Sequence, residues 1–533
     1  MALNSGRATR ATRDFRPTAR PGLIALLIAL LATLATLAGP ATARPRNTTT
    51  TTPPTTAPPL PAFASTLAWS DCGDGFQCAT LTVPVDWSQP AGETMGIAMS
   101  RLPATQPDQR IGTIVVNYGG PGQGGVDYLR KTYGRLPEEL RARFDVVTFD
   151  PRGTGASRPV DCVDDAVLDQ SVALPAFVDN EAALTAQQQW SATFAQGCGQ
   201  RMGAYAGQVG TRNVARDIEA MRIALGEPKL SYLGYSYGSV LGEAYAQMYP
   251  SHVRTMVLDG PPDYSLSVRD YDYQQAKGFA DALSAFLAWC EQTQCSLTAA
   301  GSPRDALNGL IERTKTQTIP ADYTIDGATR SGTLNGNTLQ TGVLSLLYDQ
   351  QRGWPLLGDA LRSAAVDNWG GPLLAYADSY LGRDPDGKYS SSMVEANAVI
   401  NCVDRPAAQR QPTNAAILAD VAVFQQQLPP WGGSWALPSC VGMPKPAKGD
   451  KLGKVKVAGA PPILVIGNTG DPATPYAGAQ ATVARIAGST LLTVDSTEHT
   501  AYGSGRSTCV DAAVDRYLVD GTVPAPGTHC APG

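Results

Sequence analysis

Short apolar runs and amphipathic stretches alternate along residues 79–263. Ala79-Thr-Leu-Thr-Val-Pro-Val-Asp86 reads as an early strand and Thr94 to Leu102 as a second, broken by its own glycine. Ile111 to Asn117 is a cleaner third that runs straight into a glycine-rich loop, and Phe144 to Phe149, Leu230 to Leu233 and Thr255 to Leu258 continue the series. Between them, Val214 to Leu225 and Val240 to Met248 repeat apolar residues at the helical period. Strands separated by helices in this way predict an α/β fold whose mostly parallel sheet is covered on both faces.

The rhythm changes after the polar turn Pro261-Pro-Asp263. From 264 to 453 the pattern is mainly helical, as at Ala276 to Trp289 and Asn337 to Leu347, with turn-rich polar joints and few β runs. Strand character returns at Ile463 to Ile466 and Thr490 to Val494, each followed by a helical stretch. The simplest arrangement puts 65–263 and 454–533 in one core. Residues 264–453 then form a large, mainly helical cap inserted between two strands of its sheet.

The N-terminus belongs to neither part. Arg7, Arg10, Arg13, Arg16 and Arg20 precede an apolar stretch from Gly22 to Ala38 and the small residues Ala41-Thr-Ala43, the order of a secretory signal peptide over 1–43. The stretch is at the short limit for a bilayer span, so no stable membrane span is expected after its removal. Residues 44–64 are mostly Thr and Pro, too poor in apolar area to fold, and read as a flexible leader. A secreted protein, extracellular or held at the cell wall, is the expectation. Loss of five arginines and Asp14 with the signal moves the formal charge from −5 to −9. An acidic exported chain without a basic cluster is not expected to bind nucleic acid.

Ten cysteines follow the signal: Cys72, Cys78, Cys162, Cys198, Cys290, Cys295, Cys402, Cys440, Cys509 and Cys530. An even number in an oxidising compartment predicts disulfides, and pairing in sequence order gives five short or moderate loops. Zinc is the competing use. The spacings match no compact four-cysteine site and the chain has only three histidines, so no metal is expected.

Candidate chemistry centres on Gly234-Tyr-Ser236-Tyr-Gly238, which follows the run Leu-Ser-Tyr-Leu and precedes a helical stretch. A strand, a sharp turn and a helix would lift the Ser236 hydroxyl clear of the sheet over a helix N-terminus, as a nucleophile requires. A tight turn with an incidental serine is the plainer alternative. A serine nucleophile needs a base. His252 lies in a joint on the face of the sheet opposite Ser236, and His529 sits beside Cys530 near the C-terminus. His499 follows the Thr490 to Val494 strand, at the end of the sheet where ligand sites occur. Asp471, after the Ile463 to Ile466 strand, is best placed to orient that imidazole, with Asp259 and Asp495 as rivals. For an oxyanion, Gly119-Gly-Pro-Gly-Gln-Gly-Gly125 permits close backbone approach, with one amide from around Gly120 and another from Tyr237. No G-K-[ST] follows these glycines, which argues against a P-loop, and triad chemistry needs no cofactor.

Asn117 to Gly122, Asp150-Pro-Arg-Gly-Thr-Gly-Ala-Ser157, Gly234 to Gly238, and Asp471 with His499 occur in a telling order. They match the N-P-G-G-P-G, D-x-R-G-x-G-x-S and G-Y-S-Y-G motifs and the C-terminal part of secreted actinobacterial tripeptidyl and prolyl aminopeptidases. The chain resembles that α/β-hydrolase family over nearly all of 65–530. The resemblance implies an α/β-hydrolase fold with a tripeptidyl-aminopeptidase-like (TAP-like) C-terminal part. It also implies a serine peptidase that releases short peptides, tripeptides above all, from free N-termini. Tyr118 stands where the loop usually has proline, and Gly124 where serine is common. An aminopeptidase must hold a free α-ammonium group, for which Glu395, Asp404 and Glu243 are candidates, while Arg152 is expected to brace a loop near the oxyanion site. The same triad would serve a carboxylesterase acting on small acyl esters, and a hydrolase scaffold can also be a non-catalytic binding domain. Triad residue types in fold-consistent places argue against the last. A polar, glutamine-rich cap favours peptides over lipids.

Overall fold

Strands buried on both faces must be apolar at every position, and this is how the central runs of the chain are used. The computed structural model describes residue 60 and residues 66–325, 327–406 and 410–531. The expected signal peptide, 1–43, and all of the 44–64 leader except Leu60 lie outside the described residues. Among the described residues, ten strands form the main sheet: β1 (Ser70–Asp71), β2 (Gln77–Pro84), β3 (Thr94–Leu102), β4 (Gly112–Asn117), β5 (Phe144–Phe149), β6 (Leu230–Tyr235), β7 (Val253–Asp259), β8 (Leu464–Asn468), β9 (Thr490–Val494) and β10 (His529–Cys530). Their spatial order is β1-β2-β3-β5-β4-β6-β7-β8-β9-β10. The first three pair antiparallel, β3 meets β5 antiparallel, and every later neighbour is parallel.

Alternation within each parallel strand divides its side chains between two apolar clusters. Ile114, Val116, Leu233, Val257 and Ile466 join one cluster with Val510, Val514 and Tyr517 of the Thr508–Asp520 helix. Val115, Tyr232, Leu258 and Val465 join the other with Ile218 and Met221 of the Thr211–Ala224 helix and Leu241 and Tyr245 of the Tyr237–Met248 helix. β3 corrects one expectation, since it runs unbroken through Gly96, paired with Thr82 of β2. A Cβ on Gly96 would stand 2.6 Å from Thr80 Cγ2, so the glycine permits close strand approach instead of ending the strand.

Among the described residues between β7 and β8 lie seven α-helices, from Val268–Thr293 to Asn414–Gln427, and two short two-stranded ribbons. A separate apolar cluster containing Phe286, Trp354, Leu361 and Leu373 holds much of this region together. The Glu181–Met202 helix lies between β5 and β6 in the chain, yet Leu184 on it shares a cluster with Ile417 and Val421 of the Asn414–Gln427 helix. Disulfides join Cys72–Cys78, Cys162–Cys198, Cys290–Cys295, Cys402–Cys440 and Cys509–Cys530, the pairing in chain order. No helix among the described residues is long and apolar enough to cross a membrane.

Candidate active site

Ser236 heads the Tyr237–Met248 helix at φ 55°, a conformation that strains any residue bearing a Cβ. Its neighbours make the turn possible. A Cβ on Gly234 would come within 2.4 Å of the Gly238 carbonyl oxygen, and one on Gly238 within 2.6 Å of the Asn117 carbonyl oxygen. The Ser236 amide donates to the carbonyl of Asp259 at 2.8 Å, so the adjacent strand end fixes the turn.

Gly119, at φ 88°, lies against the same turn, where a Cβ would meet the Tyr235 carbonyl oxygen at 2.6 Å and the Tyr237 amide nitrogen at 3.1 Å. Its amide is committed to Asn117 Oδ1 at 3.0 Å, so the next amide, that of Gly120, is the loop's candidate donor beside that of Tyr237. Asp150 braces the end of this loop, accepting the amides of Val126 at 2.9 Å and Ala156 at 2.8 Å. Asn397, between β7 and β8 in the chain, reaches it from the other side and donates to the Pro121 carbonyl at 3.0 Å.

Asp471 is buried beyond the end of β8, in a turn where it accepts the amides of Ala473 at 3.0 Å and Thr474 at 2.8 Å. His499 Nδ1 lies 2.9 and 3.0 Å from its two carboxylate oxygens. Thr474 Oγ1 donates to Asp471 Oδ2 at 3.0 Å and stands 3.2 Å from the same Nδ1. Such a partner keeps the proton on Nδ1 and leaves Nε2 as the basic nitrogen. Burial of the ring lowers its pKa, but the charge and hydrogen bond of Asp471, with the charge of Asp259, outweigh this and hold it above 6.5. The His499 amide donates to the Tyr348 carbonyl at 3.0 Å, and the Tyr348 ring stands edge-on to the imidazole with centroids 5.4 Å apart.

The rival acids are placed differently. Asp259 accepts the amides of Ala501 and Tyr502 at 2.9 and 2.8 Å, and burial pushes its carboxyl up to about 7. Asp495 is exposed, 4.0 Å from His529 Nδ1. His252 pairs with Glu219 at 2.9 Å beyond the start of β7, at the opposite end of the strands from Ser236.

Ser236 and His499 line one cavity of about 300 Å³, with no hydrogen bond between them among the described residues. Such contacts commonly tighten only once substrate is bound. Tyr118, Tyr128 and Tyr235 supply aromatic wall, and Tyr118, the residue in place of proline, stacks on Tyr235 with centroids 5.9 Å apart. Charge comes from Arg135, from Asp349 and Arg352, in the chain between β7 and β8, and from Glu498 and Arg506 around His499. Arg506 donates to both oxygens of Asp349, at 2.7 and 2.8 Å, and pairs with Glu498.

The carboxylates expected to receive an α-ammonium group do not line this cavity. Buried carboxylates need partners, and each of the three already has internal ones. Glu395 accepts the amides of Cys162 and Val163 at 2.8 and 3.1 Å. Asp404 accepts the Thr211 amide at 2.9 Å and hydroxyl at 2.5 Å, and the Tyr237 hydroxyl at 3.4 Å. Glu243 is held by Arg485 Nε at 2.6 Å and by Thr482 Oγ1 at 3.0 Å. Arg152 likewise serves elsewhere, forming a two-pronged pair with Asp217 and donating to the carbonyls of Pro84, Val85 and Gln208.

Sequence reasoning misses Thr474, Tyr348, Asp349 and Arg506. Thr474 had a signal, because an aspartate followed by proline commonly caps the amides two and three residues on. Tyr348 and Asp349 meet the site through long-range packing that no local pattern announces, and Arg506, in the same loop as His499, is tied to it by its pair with Asp349.

A parallel sheet with a serine at a strand–helix turn, and an acid and a histidine after later strands, defines an α/β-hydrolase. A family model described as "TAP-like protein" matches residues 426–530. Serine protease Hip1 of Mycobacterium tuberculosis is 35% identical over 491 residues, covering 88% of this chain and 92% of that protein. Carboxylesterase B of the same organism is 34% identical over 501 residues, covering 89% and 92%. Tripeptidyl aminopeptidase of Streptomyces lividans is 29% identical over 484 residues, covering 87% and 86%. The chain belongs to this TAP-like family of α/β-hydrolases and is a serine hydrolase.

Proposed function

We propose that the protein is an exported serine exopeptidase that releases short peptides, tripeptides above all, from free N-termini. The observation that carries this reading is His499, bonded through Nδ1 to Asp471, lining one small cavity with Ser236. As Ser236 Oγ attacks the scissile carbonyl, His499 Nε2 takes its proton and Asp471 stabilises the imidazolium. The amides of Tyr237 and Gly120 hold the oxyanion. His499 then gives the proton to the leaving amine. A water deprotonated by the same imidazole cleaves the acyl-enzyme and restores Ser236.

Relatives named serine protease and tripeptidyl aminopeptidase support a peptide as the substrate. A free α-ammonium group would meet Asp349 and Glu498, carboxylates in the cavity wall. Five disulfides and the signal-like N-terminus support export. The relative named carboxylesterase B favours a second reading, hydrolysis of small acyl esters by the same residues.

Purified protein offered a chromogenic tripeptide with a free N-terminus, its N-acetylated form and a short acyl ester separates these readings. The exopeptidase should prefer the free tripeptide, and Ser236→Ala should abolish turnover of all three. Preference for the blocked peptide, or activity on the ester alone, would overturn the peptidase reading. Turnover retained by folded Ser236→Ala would overturn the nucleophile.

A further inference from the structure

We propose that Asp259 is a positioning residue for the reaction, holding the segment that carries His499 at a fixed offset from Ser236. This role presupposes the Ser236–His499–Asp471 assignment.

Asp259 ends β7, between the strand that leads into Ser236 and the strand that leads to Asp471. Its two polar groups point to two different partners. The backbone carbonyl accepts the Ser236 amide at 2.8 Å. The side chain accepts the amides of Ala501 at 2.9 Å and Tyr502 at 2.8 Å, two and three residues beyond His499. One residue therefore ties the segment of the nucleophile to the segment of the base.

The next residue extends the link to the acid. The Gly260 amide donates to the Ile466 carbonyl at 3.0 Å. A Cβ on Gly260 would stand 3.0 Å from Thr474 Oγ1 and 3.4 Å from Asp471 Oδ2. All three reacting segments thus touch the end of this one strand.

A carboxyl is an unfavourable choice for this position on solvation grounds alone. Asp259 is fully buried, forms no ion pair among the described residues, and sits close enough to Asp471 for their charges to repel, with the charge of His499 offsetting this in part. A neutral residue would avoid both penalties. A carboxylate oxygen, however, can accept two neighbouring backbone amides at once, and Asp259 Oδ2 does so. The arrangement resists rotation of the His499 loop, and small displacements of reacting groups cost rate steeply.

The test is steady-state kinetics of Asp259→Ala and Asp259→Asn on the free-N-terminus tripeptide, each checked for native circular dichroism. Asp259→Ala should lower kcat by about 100-fold and leave KM within about threefold, since only the alignment of bound reactants is disturbed. Asp259→Asn retains one oxygen that can accept both amides and should recover kcat to within about tenfold of wild type. Wild-type kcat in folded Asp259→Ala would overturn the role, as would an equal loss in both variants with KM changed in parallel. Amide exchange in the wild-type protein gives a readout that needs no variant. Although they lie in a loop, the Ala501 and Tyr502 amides should exchange as slowly as those of β7, and exchange at an open-loop rate would also overturn the proposal. A failure of the triad itself is distinguished by Ser236→Ala, which then retains turnover whatever Asp259 does.

Discussion

The sheet and the region between β7 and β8 contribute to the same cavity in different ways. Each proposed reacting group follows the end of its own strand. The Ser236 amide is held by the Asp259 carbonyl at a neighbouring strand end, Asp471 by amides of its own turn, and the His499 segment by the Asp259 side chain and the Tyr348 carbonyl. The inserted region has its own apolar cluster and reaches the cavity through Tyr348, Asp349 and Arg352. On the proposed reading the sheet is the frame for bond making, and the region between β7 and β8 governs what reaches it. Damage to the first should fall on kcat, and damage to the second on KM.

The severest test of this division is Asp471→Asn. The substitution keeps the shape of the side chain but removes the charge that stabilises the imidazolium, and it disfavours the tautomer with Nε2 free. A fall in kcat of about 10⁴-fold is expected, with KM little changed. A loss smaller than tenfold, measured on the free-N-terminus tripeptide, would show that the base is oriented by something other than this acid.

Stability should divide in the same way. Arg152 and Asp217 are fully buried beneath the sheet's helices, joined at 2.6 and 2.7 Å. Asp217→Ala strands a buried guanidinium and should cost about 3–5 kcal/mol in chemical denaturation. In the insertion, Arg362 and Asp367 are paired at 2.7 Å but well exposed, and Arg362→Ala should cost no more than about 1 kcal/mol. Equal losses would mean that the insertion is as dependent on its ion pairs as the core.

The same contrast governs what the sequence disclosed. β5 and β9 have the ends their apolar runs predict, and Ser236, Asp471 and His499 stand out as candidates because a local pattern of strand, turn and helix surrounds each. Gly96 misleads because a glycine that allows close strand approach looks the same as one that breaks a strand. The Glu181–Met202 helix escapes notice because its polar and glutamine residues are scattered around it, leaving no clear apolar stripe. Glu395, Asp404 and Glu243 lie away from the cavity lined by Ser236 for a reason no sequence pattern carries. Charge in a sequence does not say whether a carboxylate faces substrate or a buried amide, and these three face internal partners.

A smaller effect probes the insertion's side of the cavity. Asp349 accepts from Arg506 and lines the cavity, where the proposed exopeptidase reading would have it meet a peptide's α-ammonium group. Asp349→Asn should raise KM for the free-N-terminus tripeptide about tenfold, the size of one charge-assisted contact, and leave KM for an acyl ester near wild type. A matching rise for both substrates would instead mark Asp349 as a residue that shapes the cavity without reading the amine.

The smallest expected effect is a displacement along the pH axis. His499 acts as a base only when neutral, and its pKa in the folded protein is held above 6.5 by Asp471 and, more weakly, by Asp259. The acidic limb of kcat/KM should therefore rise through a midpoint above 6.5. The Asp259 charge is only partly present over this limb, because its own carboxyl is pushed up to about 7. Removing it still favours the neutral imidazole, so Asp259→Asn should move the midpoint down by a fraction of a unit while activity persists at lower pH. The carboxylate of Asp349 is paired with Arg506 and is not among the groups that raise the His499 pKa. Asp349→Asn should therefore raise KM without moving the limb. If it moved the limb as far as Asp259→Asn does, the insertion would be tuning the base as well as admitting substrate, and the separation of chemistry from access would fail where the two regions meet.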